Sequence, residues 1–137
     1  SDRGGHVAIV DDADPAIAWG SGWAVRDAPG AIGGRAHRTD RARAKAVLSA
    51  TGDQLAIIAA TGPSGGRLRV IVDGETAAIV DCFDPEGGRR RVVAVVDLPG
   101  KGEHAVVLRV MGESAPGSGG RRIELDGIAI LDRLAGG

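Results

Sequence analysis

The chain has 137 residues, of which 43% are hydrophobic, and this suits one globular domain with its own core rather than a disordered segment. Its formal net charge is −1, so no overall field would recruit nucleic acid or an anionic membrane, and its apolar stretches fall well short of the roughly 20 residues of a membrane span. Gly is abundant at 23 residues while the aromatics are two Trp, one Phe and no Tyr, a composition typical of many short strands joined by tight turns. We therefore expect a single domain over residues 1–137 with a core at about 6–132.

The first strand signals are short, and a long polar stretch follows them. Residues 6–10 form an apolar run, and residues 17–19 and 23–25 flank the turn at 20–22. Residues 26–40 are polar and contain Pro and Gly, which predicts a loop or an irregular edge. The one basic run of the chain begins in this stretch, and since no aromatic is interleaved with its charges we interpret it as a solvated strand face rather than a nucleic-acid surface. It comprises Arg35, His37, Arg38, Arg41, Arg43 and Lys45.

The pattern becomes regular from residue 42. Residues 42–50 alternate with a period of two, which favours a strand over the helix that their Ala content would allow. Residues 55–60 are apolar throughout, which predicts a strand buried on both faces. Residues 67–73 alternate clearly and should direct Leu68, Val70 and Val72 into the core.

The second half of the chain continues with strands and turns. The dipeptide Asp73-Gly74 predicts a hairpin between residues 67–73 and 76–82. Further strands are predicted at 91–96, in a segment with Val106, Leu108 and Val110 on one face, and at the end of the chain. Beyond Gly127 the apolar residues change parity, as the extra residue of a β-bulge would produce. Eight to ten short strands without a convincing amphipathic helix predict an all-β protein, an antiparallel β-sandwich.

Two motifs that formally match catalytic or nucleotide-binding signatures lack the right context. Residues 62–66 match G-x-S-x-G and residues 100–105 match G-x-G-x-x-A, but each is followed by a predicted strand where these signatures need a helix. The three His residues are far apart in the sequence, and Cys82 alone can form neither a thiolate zinc site nor an internal disulfide. We therefore predict that the chain is not an enzyme and has no cofactor beyond the structural calcium considered next.

An acidic cluster and a pair of tryptophans each allow two interpretations. Asp11, Asp12 and Asp14 follow the first strand and could supply oxygen ligands to Ca²⁺ with Asp126 or Asp132. A solvated turn in which these side chains bond local amides is the favoured alternative. Trp19 and Trp23 flank residues 20–22, where both could belong to the core or one could be a platform on which a sugar ring stacks.

Several short segments occur in an order that resembles a known family. Residues 10–15 (VDDADP) lead into 20–23 (GSGW), and then Gly34 with His37; residues 70–74 (VIVDG), 98–104 (LPGKGEH) and 125–128 (LDGI) follow. Together they resemble the galactose-binding-like jelly-roll modules appended to bacterial glycoside hydrolases, carbohydrate esterases and other secreted proteins. The resemblance spans residues 7–131. It implies a two-sheet antiparallel sandwich, sometimes with a structural Ca²⁺, that binds glycans through loops at one end or on one face.

The resemblance also implies site residues and partners. It makes Trp23, His37 and Arg38 the candidate ligand-binding residues and His104 a structural residue that bonds across its turn. From the acidic cluster, Asp11, Asp12 and Asp126 are taken as the candidate ligands of a structural calcium. Family members that bind sugars commonly present several Trp or Tyr residues, and this chain has two Trp and no Tyr.

Two functions are therefore expected as alternatives. The first is a carbohydrate-binding or substrate-targeting accessory module of a larger bacterial protein, with a glycan or polysaccharide as partner. The second is a structural or protein-interaction module that contacts neighbouring domains and binds no glycan. Since the chain begins at Ser1 without a signal-type segment, we interpret it as a piece of a longer protein, with an extracellular or cell-surface address expected and the cytoplasm as the alternative.

Overall fold

The computed structural model describes residues 6–11, 14–27, 34–99 and 102–132, and its regular elements in these ranges are all strands. No α-helix occurs in the described ranges, and so no helix there could cross a membrane. The all-β prediction is confirmed. The strands are β1 (His6–Asp11), β2 (Ala18–Trp19), β3 (Ala24–Asp27), β4 (Arg35–Thr39), β5 (Lys45–Thr51), β6 (Gln54–Thr61), β7 (Arg67–Val72), β8 (Glu75–Asp81), β9 (Gly88–Asp97), β10 (Glu103–Val110) and β11 (Ile123–Asp132).

The strands form two antiparallel sheets, which confirms the predicted jelly-roll sandwich. The first sheet has the order β3-β4-β11-β6-β9, and β1 also pairs with β11. The second sheet has the order β2-β5-β10-β7-β8. Two strands pair with the same edge of β11. Strand β4 pairs with residues 123–125, and β1 pairs with residues 127–132.

The core lies between the sheets and is aliphatic. Alternation along β7 buries Leu68, Val70 and Val72, as predicted, and β5 and β10 alternate in the same way. Strand β6 is buried on both faces over Leu55–Ala59, which confirms that prediction too. Each fully buried Leu, Ile or Val contributes about 1.5–3 kcal/mol, so this period of two is the main stabilising feature of the fold.

Of the two alternatives predicted for residues 26–40, the loop is wrong where the structure describes the stretch, and the edge agrees with the position of β3 at the end of its sheet. Strand β3 ends within this stretch and β4 occupies Arg35–Thr39, paired with β3 on one side and β11 on the other. The inward positions of β4 are filled by His37 and Thr39 rather than by aliphatic residues. Sequence propensity missed the strand because its stability comes from pairing with distant segments, and such pairing overrides local preference.

The basic run is consequently not one strand face. Its first part lies in β4 of the first sheet, whereas Lys45 begins β5 of the second sheet. Arg41 and Arg43 lie in the connection, where Arg43 has a positive φ of 73°. His37 is buried, so the run divides between the interior, the outer faces of both sheets and a turn.

The predicted change of parity in the last strand is confirmed as a β-bulge. Leu125 pairs with Ala59 and Gly127 pairs with Ile58, so Asp126 is the extra residue. The bulge lies where β11 exchanges β4 for β1 as its neighbour. A bulge re-aims the side chains on either side of it, which is why Leu125 and Ile128 can both be buried in the core.

Five of the connections between strands lie at the same end of the sandwich. Residues 20–23, 40–44, 62–66, 82–87 and 111–122 connect strands at one end, which we call the loop end. Two-residue turns at 52–53 and 73–74 lie at the opposite end. The second is the predicted hairpin turn, with φ of 50° at Asp73 and 85° at Gly74, as a type I′ turn requires.

Candidate ligand-binding cleft

A cleft of about 420 Å³ opens at the loop end beside the first sheet, and we call it the arginine cleft. The side chains of Ala24, Arg26 and Arg38 alternate along β3 and β4 with those of Val25 and His37. His37 faces the second sheet, so the arginines lie on the outer face of the first sheet. The lining residues are Gly22, Ala24, Arg26, Arg38, Thr39, Asp40, Ser64, Gly119, Gly120, Arg121 and Arg122.

A second cleft of about 270 Å³ adjoins the first, and we call it the glycine cleft. Ser64 and Arg122 line both clefts, so a ligand larger than one could extend into the other. The remaining lining residues are Ala60, Thr61, Gly62, Pro63, Gly65, Gly87, Gly88 and Glu124.

The arginine cleft is strongly basic although the chain has a net charge of −1. Four arginines line it against a single acidic residue, Asp40. Arg121 donates a hydrogen bond from Nη1 to the carbonyl oxygen of Gly112 at 3.2 Å. Within the described part of the chain, the other three lining arginines form no ion pair. Their charge is therefore directed at the cleft and the solvent.

The walls of the clefts are held by backbone bonds between two glycine-rich loops. The amide of Arg122 donates to the carbonyl oxygen of Ser64 at 2.9 Å, and the amide of Gly66 donates to that of Arg122 at 2.8 Å. The Ser118 hydroxyl lies 2.8 Å from the carbonyl oxygen of Gly65 and 2.9 Å from that of Gly120, and it donates its one proton to either. This network joins the β6–β7 loop to the β10–β11 loop and fixes their separation.

The close approach of these loops requires glycine at two positions. A Cβ at Gly65 would overlap the carbonyl oxygen of Cys82, and a Cβ at Gly66 would lie 2.6 Å from the carbonyl oxygen of Arg121. The glycine content of residues 62–66, which partly produced the catalytic motif match, therefore has a packing reason. A strand, β7, follows this loop, so the strand–turn–helix geometry of a nucleophile elbow is not what surrounds Ser64.

Trp19, Trp23 and His37 form an aromatic cluster that joins the two sheets at their edge. The Trp19 and His37 rings are stacked, with centroids 3.8 Å apart and planes at 7°. Trp23 meets Trp19 edge to face, with centroids 4.8 Å apart, and its Nε1 donates to the carbonyl oxygen of Lys45 at 3.0 Å. Both tryptophans are half-buried and pack against the core.

The structure separates the predicted ligand-binding residues. Arg38 lines the arginine cleft, while His37 is 9% exposed and faces inward against Trp19. Trp23 directly follows Gly22, which lines the cleft, but its indole belongs to the aromatic cluster. The assignment of all three as ligand-binding residues stays a prediction.

Sequence reasoning missed most of the arginine cleft. Arg26, Arg121, Arg122 and Ser64 had not been singled out as ligand-binding residues. Arg121 and Arg122 lie between the Gly-rich loop at 112–120 and the last strand. Two adjacent arginines directly before a strand were the signal that could have identified them.

The structure bears only in part on the predicted calcium site. Asp126 is fully buried at the bulge, with 0% exposure, and the backbone of the adjoining Gly127 pairs with Asp11. A buried carboxylate there is a hard oxygen donor of the kind that Ca²⁺ prefers. Asp12 lies outside the described residues, and no cluster of three acidic, His or Cys side chains occurs within them. Asp14 bonds a local amide, that of Ala16, at 2.9 Å, as the turn interpretation expects.

His104 lies away from the clefts and pairs with an acidic residue of the β7–β8 turn. Its Nδ1 is 2.6 Å from Oδ2 of Asp73, whose Oδ1 accepts a hydrogen bond from the Ala105 amide at 2.9 Å. These two hydrogen bonds, that of His104 above all, hold the pKa of Asp73 below its ordinary value. His104 was expected to bond across its own turn, and this prediction is wrong. Its partner, Asp73, belongs to the turn of the β7–β8 hairpin.

Cys82 is buried beside the β6–β7 loop. Burial raises the pKa of its thiol to about 12, so it is protonated at neutral pH and is a poor nucleophile. Its carbonyl oxygen accepts the Gly62 amide at 3.1 Å, which gives it a structural place under the glycine cleft.

No protein-family model matches the chain, and no curated protein matches it in sequence. Solved structures do resemble it in fold. The CBM36-1 domain of a multidomain xylanase from the hindgut metagenome of Trinervitermes trinervoides superposes with a TM-score of 0.63 at 12% identity, over 95% of this chain and 99% of that one. A Paenibacillus xanthan lyase gives a TM-score of 0.66 at 16% identity, and a two-domain esterase active on acetylated mannans gives 0.67 at 13% identity.

The extent of these matches differs. The match with the xanthan lyase covers 92% of this chain but only 13% of the lyase. The match with the esterase covers 95% of this chain but 37% of the esterase. This chain thus matches one part of two larger proteins and nearly all of a carbohydrate-binding module. The chain has a jelly-roll β-sandwich fold, as its resemblance to galactose-binding-like domains implied, and it shares this fold with these solved structures.

Proposed function

We propose that this chain is a carbohydrate-binding accessory module that holds a saccharide in the arginine cleft and acts within a larger protein. The fold likeness to a CBM36 domain along the full length of both chains supports the class of function. The observation that carries the proposal is the arginine cleft itself, a concavity of about 420 Å³ lined by side chains that can bond sugar hydroxyls. Ligand sites are typically concave with a few well-placed polar groups.

The lining offers both donors and acceptors. The guanidinium of Arg38 can donate two parallel hydrogen bonds to vicinal hydroxyls, while the carboxylate of Asp40 accepts. Ser64 adds a hydroxyl from a wall that is already fixed by backbone bonds, so little order needs to be gained on binding. Trp23 and His37 both contact Trp19, and in this way they hold β4 against the segment that contains β2 and β3. Whether Trp23 also contacts the ligand is a separate question for the same titrations.

Isothermal titration calorimetry with a panel of plant and microbial polysaccharides tests the proposal. We expect at least one glycan to bind, and Arg38→Ala to weaken that binding. Arg109→Ala is the matched control, because Arg109 is an exposed arginine of β10 in the second sheet and lines a separate cleft of about 590 Å³ with Arg43 and Arg69. A loss of binding in Arg109→Ala alone would assign the ligand to that cleft and refute the arginine cleft as the site. Absence of binding to every glycan, or equal affinity of Arg38→Ala and the wild type, would refute the proposal.

A second candidate function, a structural or interaction module, is favoured by the outer face of the first sheet. Ile9, Ala129, Ala56 and Val95 form one apolar row across β1, β11, β6 and β9. Ile9 is 52% exposed and Val95 is 58% exposed, which fits packing against a neighbouring domain. In the parent protein, Val95→Lys should lower the melting temperature while leaving that of the isolated chain unchanged. An unchanged parent would count against this candidate.

A further inference from the structure

We infer that the ligand of the arginine cleft is a saccharide that carries a carboxylate, that is, a uronate within an acidic polysaccharide. This inference rests on the proposed function and adds to it the chemical class of the ligand. Its basis is the charge of the cleft, the position of the arginines on β3, on β4 and in the loop that leads into β11, and the absence of ion pairs to them among the described residues.

The charge of the cleft is the first step. Arg26, Arg38, Arg121 and Arg122 line the cleft with Asp40, and Glu124 lies opposite Arg38 and lines the adjoining glycine cleft. With both acidic residues counted, two positive charges remain in excess on a chain whose net charge is −1. A neutral sugar would cover guanidinium groups without compensating their charge, and covering an uncompensated charge is unfavourable. A carboxylate supplies the compensation, and the planar guanidinium fork matches it with two parallel hydrogen bonds.

The pairing of other arginines is the second step. Arg35 lies 3.8 Å from Asp27, Arg67 lies 3.7 Å from Glu113, and Arg69 bonds the Thr76 hydroxyl at 3.0 Å. Within the described residues, Arg26, Arg38 and Arg122 form no such pair. Arg26, Arg38 and Arg122 thus line a concave place without an ion-pair partner, where a ligand would be their partner. Among the described residues, Arg43 and Arg109 form no ion pair either, and they line a separate cleft with Arg69.

The third step is geometry. Arg38 pairs with Ala24 and Arg26 with Ala36, so the two arginines are diagonal neighbours on the outer face of the β3–β4 pair. Ile123 pairs with Thr39 on the other side of β4, which places Arg122 next to Asp40 along the same register. The three arginines therefore lie on neighbouring backbone segments and line one cleft of about 420 Å³.

The walls complete the site. Ser64 and the backbone of Gly119 and Gly120 form the side of the cleft opposite β3, and the Ser118 hydroxyl fixes their position. Neutral hydroxyls of the sugar ring can bond there while the carboxylate meets the arginines. The ligand would then be oriented with its acidic edge toward the first sheet.

A pair of ligands that differ only in charge tests the inference. We would titrate the chain with oligogalacturonides and with the same oligomers fully methyl-esterified, which keeps the hydroxyls and removes the carboxylate charge. We expect the ester to bind at least tenfold more weakly, and the binding of the acid to weaken as the salt concentration rises. A neutral xylan and a sulfated glycan complete the set.

Each outcome has one meaning. Equal binding of acid and ester, or binding of neutral xylan only, overturns the uronate inference and leaves the proposed function standing. Equal or tighter binding of the sulfated glycan overturns the assignment of a carboxylate and leaves a general anion site. If no acidic or neutral saccharide of any kind binds, the proposed function fails as well.

Matched variants locate the effect. Arg38→Gln and Arg122→Gln keep a hydrogen-bond donor on a shorter side chain but remove the charge, and each should weaken binding of the acidic oligomer at least tenfold. Arg38→Lys, which keeps the charge but not the fork, should recover part of the loss. Arg109→Gln on the second sheet should change affinity less than twofold. Equal losses for Arg109→Gln and Arg38→Gln, in variants with wild-type melting curves, would mean that charge in general and not this cleft binds the glycan.

Discussion

Replacing Trp19 with Ala should destabilise the fold by removing the aromatic cluster that joins the two sheets at one edge. Trp19 lies in β2 of the second sheet and stacks at 3.8 Å on His37 of the first sheet. The variant removes this stack and also the edge contact with Trp23 at 4.8 Å. The change is therefore a direct measure of how much the cluster contributes to holding the sandwich closed.

The size of the effect follows from the burial of the ring. A fully buried Trp removes up to about 250 Å² from water, and half of this at about 25 cal/mol per Å² gives about 3 kcal/mol. The lost ring contacts add about 1 kcal/mol. A total of about 4 kcal/mol is a large part of the roughly 5–15 kcal/mol stability of a typical domain. For a domain of this size the melting temperature should fall by about 10–20 °C.

Urea unfolding followed by circular dichroism, together with thermal melting, measures this loss. Trp19→Phe is the matched control, because a smaller ring keeps part of the stack and should lose markedly less than Trp19→Ala. A loss below about 1 kcal/mol for Trp19→Ala, the range of ordinary surface substitutions, would refute the structural role of the cluster. It would then favour the interpretation of these tryptophans as a binding platform.

Two further predictions concern charge and metal. The folded-state pKa of Asp73 lies below its ordinary value, so its pair with His104 stabilises the fold above the unfolded pKa of about 3.9, and this contribution is lost as the pH falls through the folded pKa. Unfolding midpoints measured against pH should therefore decline more steeply at acidic pH in the wild type than in Asp73→Asn, and parallel curves would contradict the pair's role. If Asp126 belongs to a structural calcium site, calcium should raise the melting temperature and EDTA should reverse the rise, whereas Asp126→Asn should respond to neither. If the melting temperature of the wild type did not depend on calcium, the calcium site would be refuted and the turn interpretation would remain.

The parts of the fold that could be predicted from the sequence are those in which burial alone sets the pattern. Leu68, Val70 and Val72 alternate because one face of β7 meets the core, and this alternation survives in any context. The Asp73-Gly74 turn follows from backbone conformation, since both residues adopt positive φ. The bulge at Asp126 was visible as a change of parity because apolar residues must return to the interior side.

The parts that could not be predicted depend on partners far away in the sequence. The inward face of β4 holds His37 and Thr39, and neither signals a strand on its own. Trp19, which stacks on His37, lies 18 residues earlier in the sequence and in the other sheet. The arginine cleft was missed for the same reason, because only the register of β4 on β11 brings Arg38 near Arg122.

Strand β4 carries two separate tasks on its two faces, and this separation makes the functional proposals testable. His37 points inward and joins the sheets through Trp19, while the next residue, Arg38, points outward and lines the cleft. A substitution on the inward face should therefore reduce stability, and one on the outward face should reduce affinity without a comparable loss of stability. Because the cleft walls are fixed mainly by backbone bonds, side chains on the outer face can change ligand class while the aliphatic core stays as it is. A contrary result would be that Arg38→Gln and Trp19→Ala lower stability and affinity in the same proportion. The two faces of β4 would then be energetically coupled, and ligand binding in the cleft could not be separated from the stability of the fold.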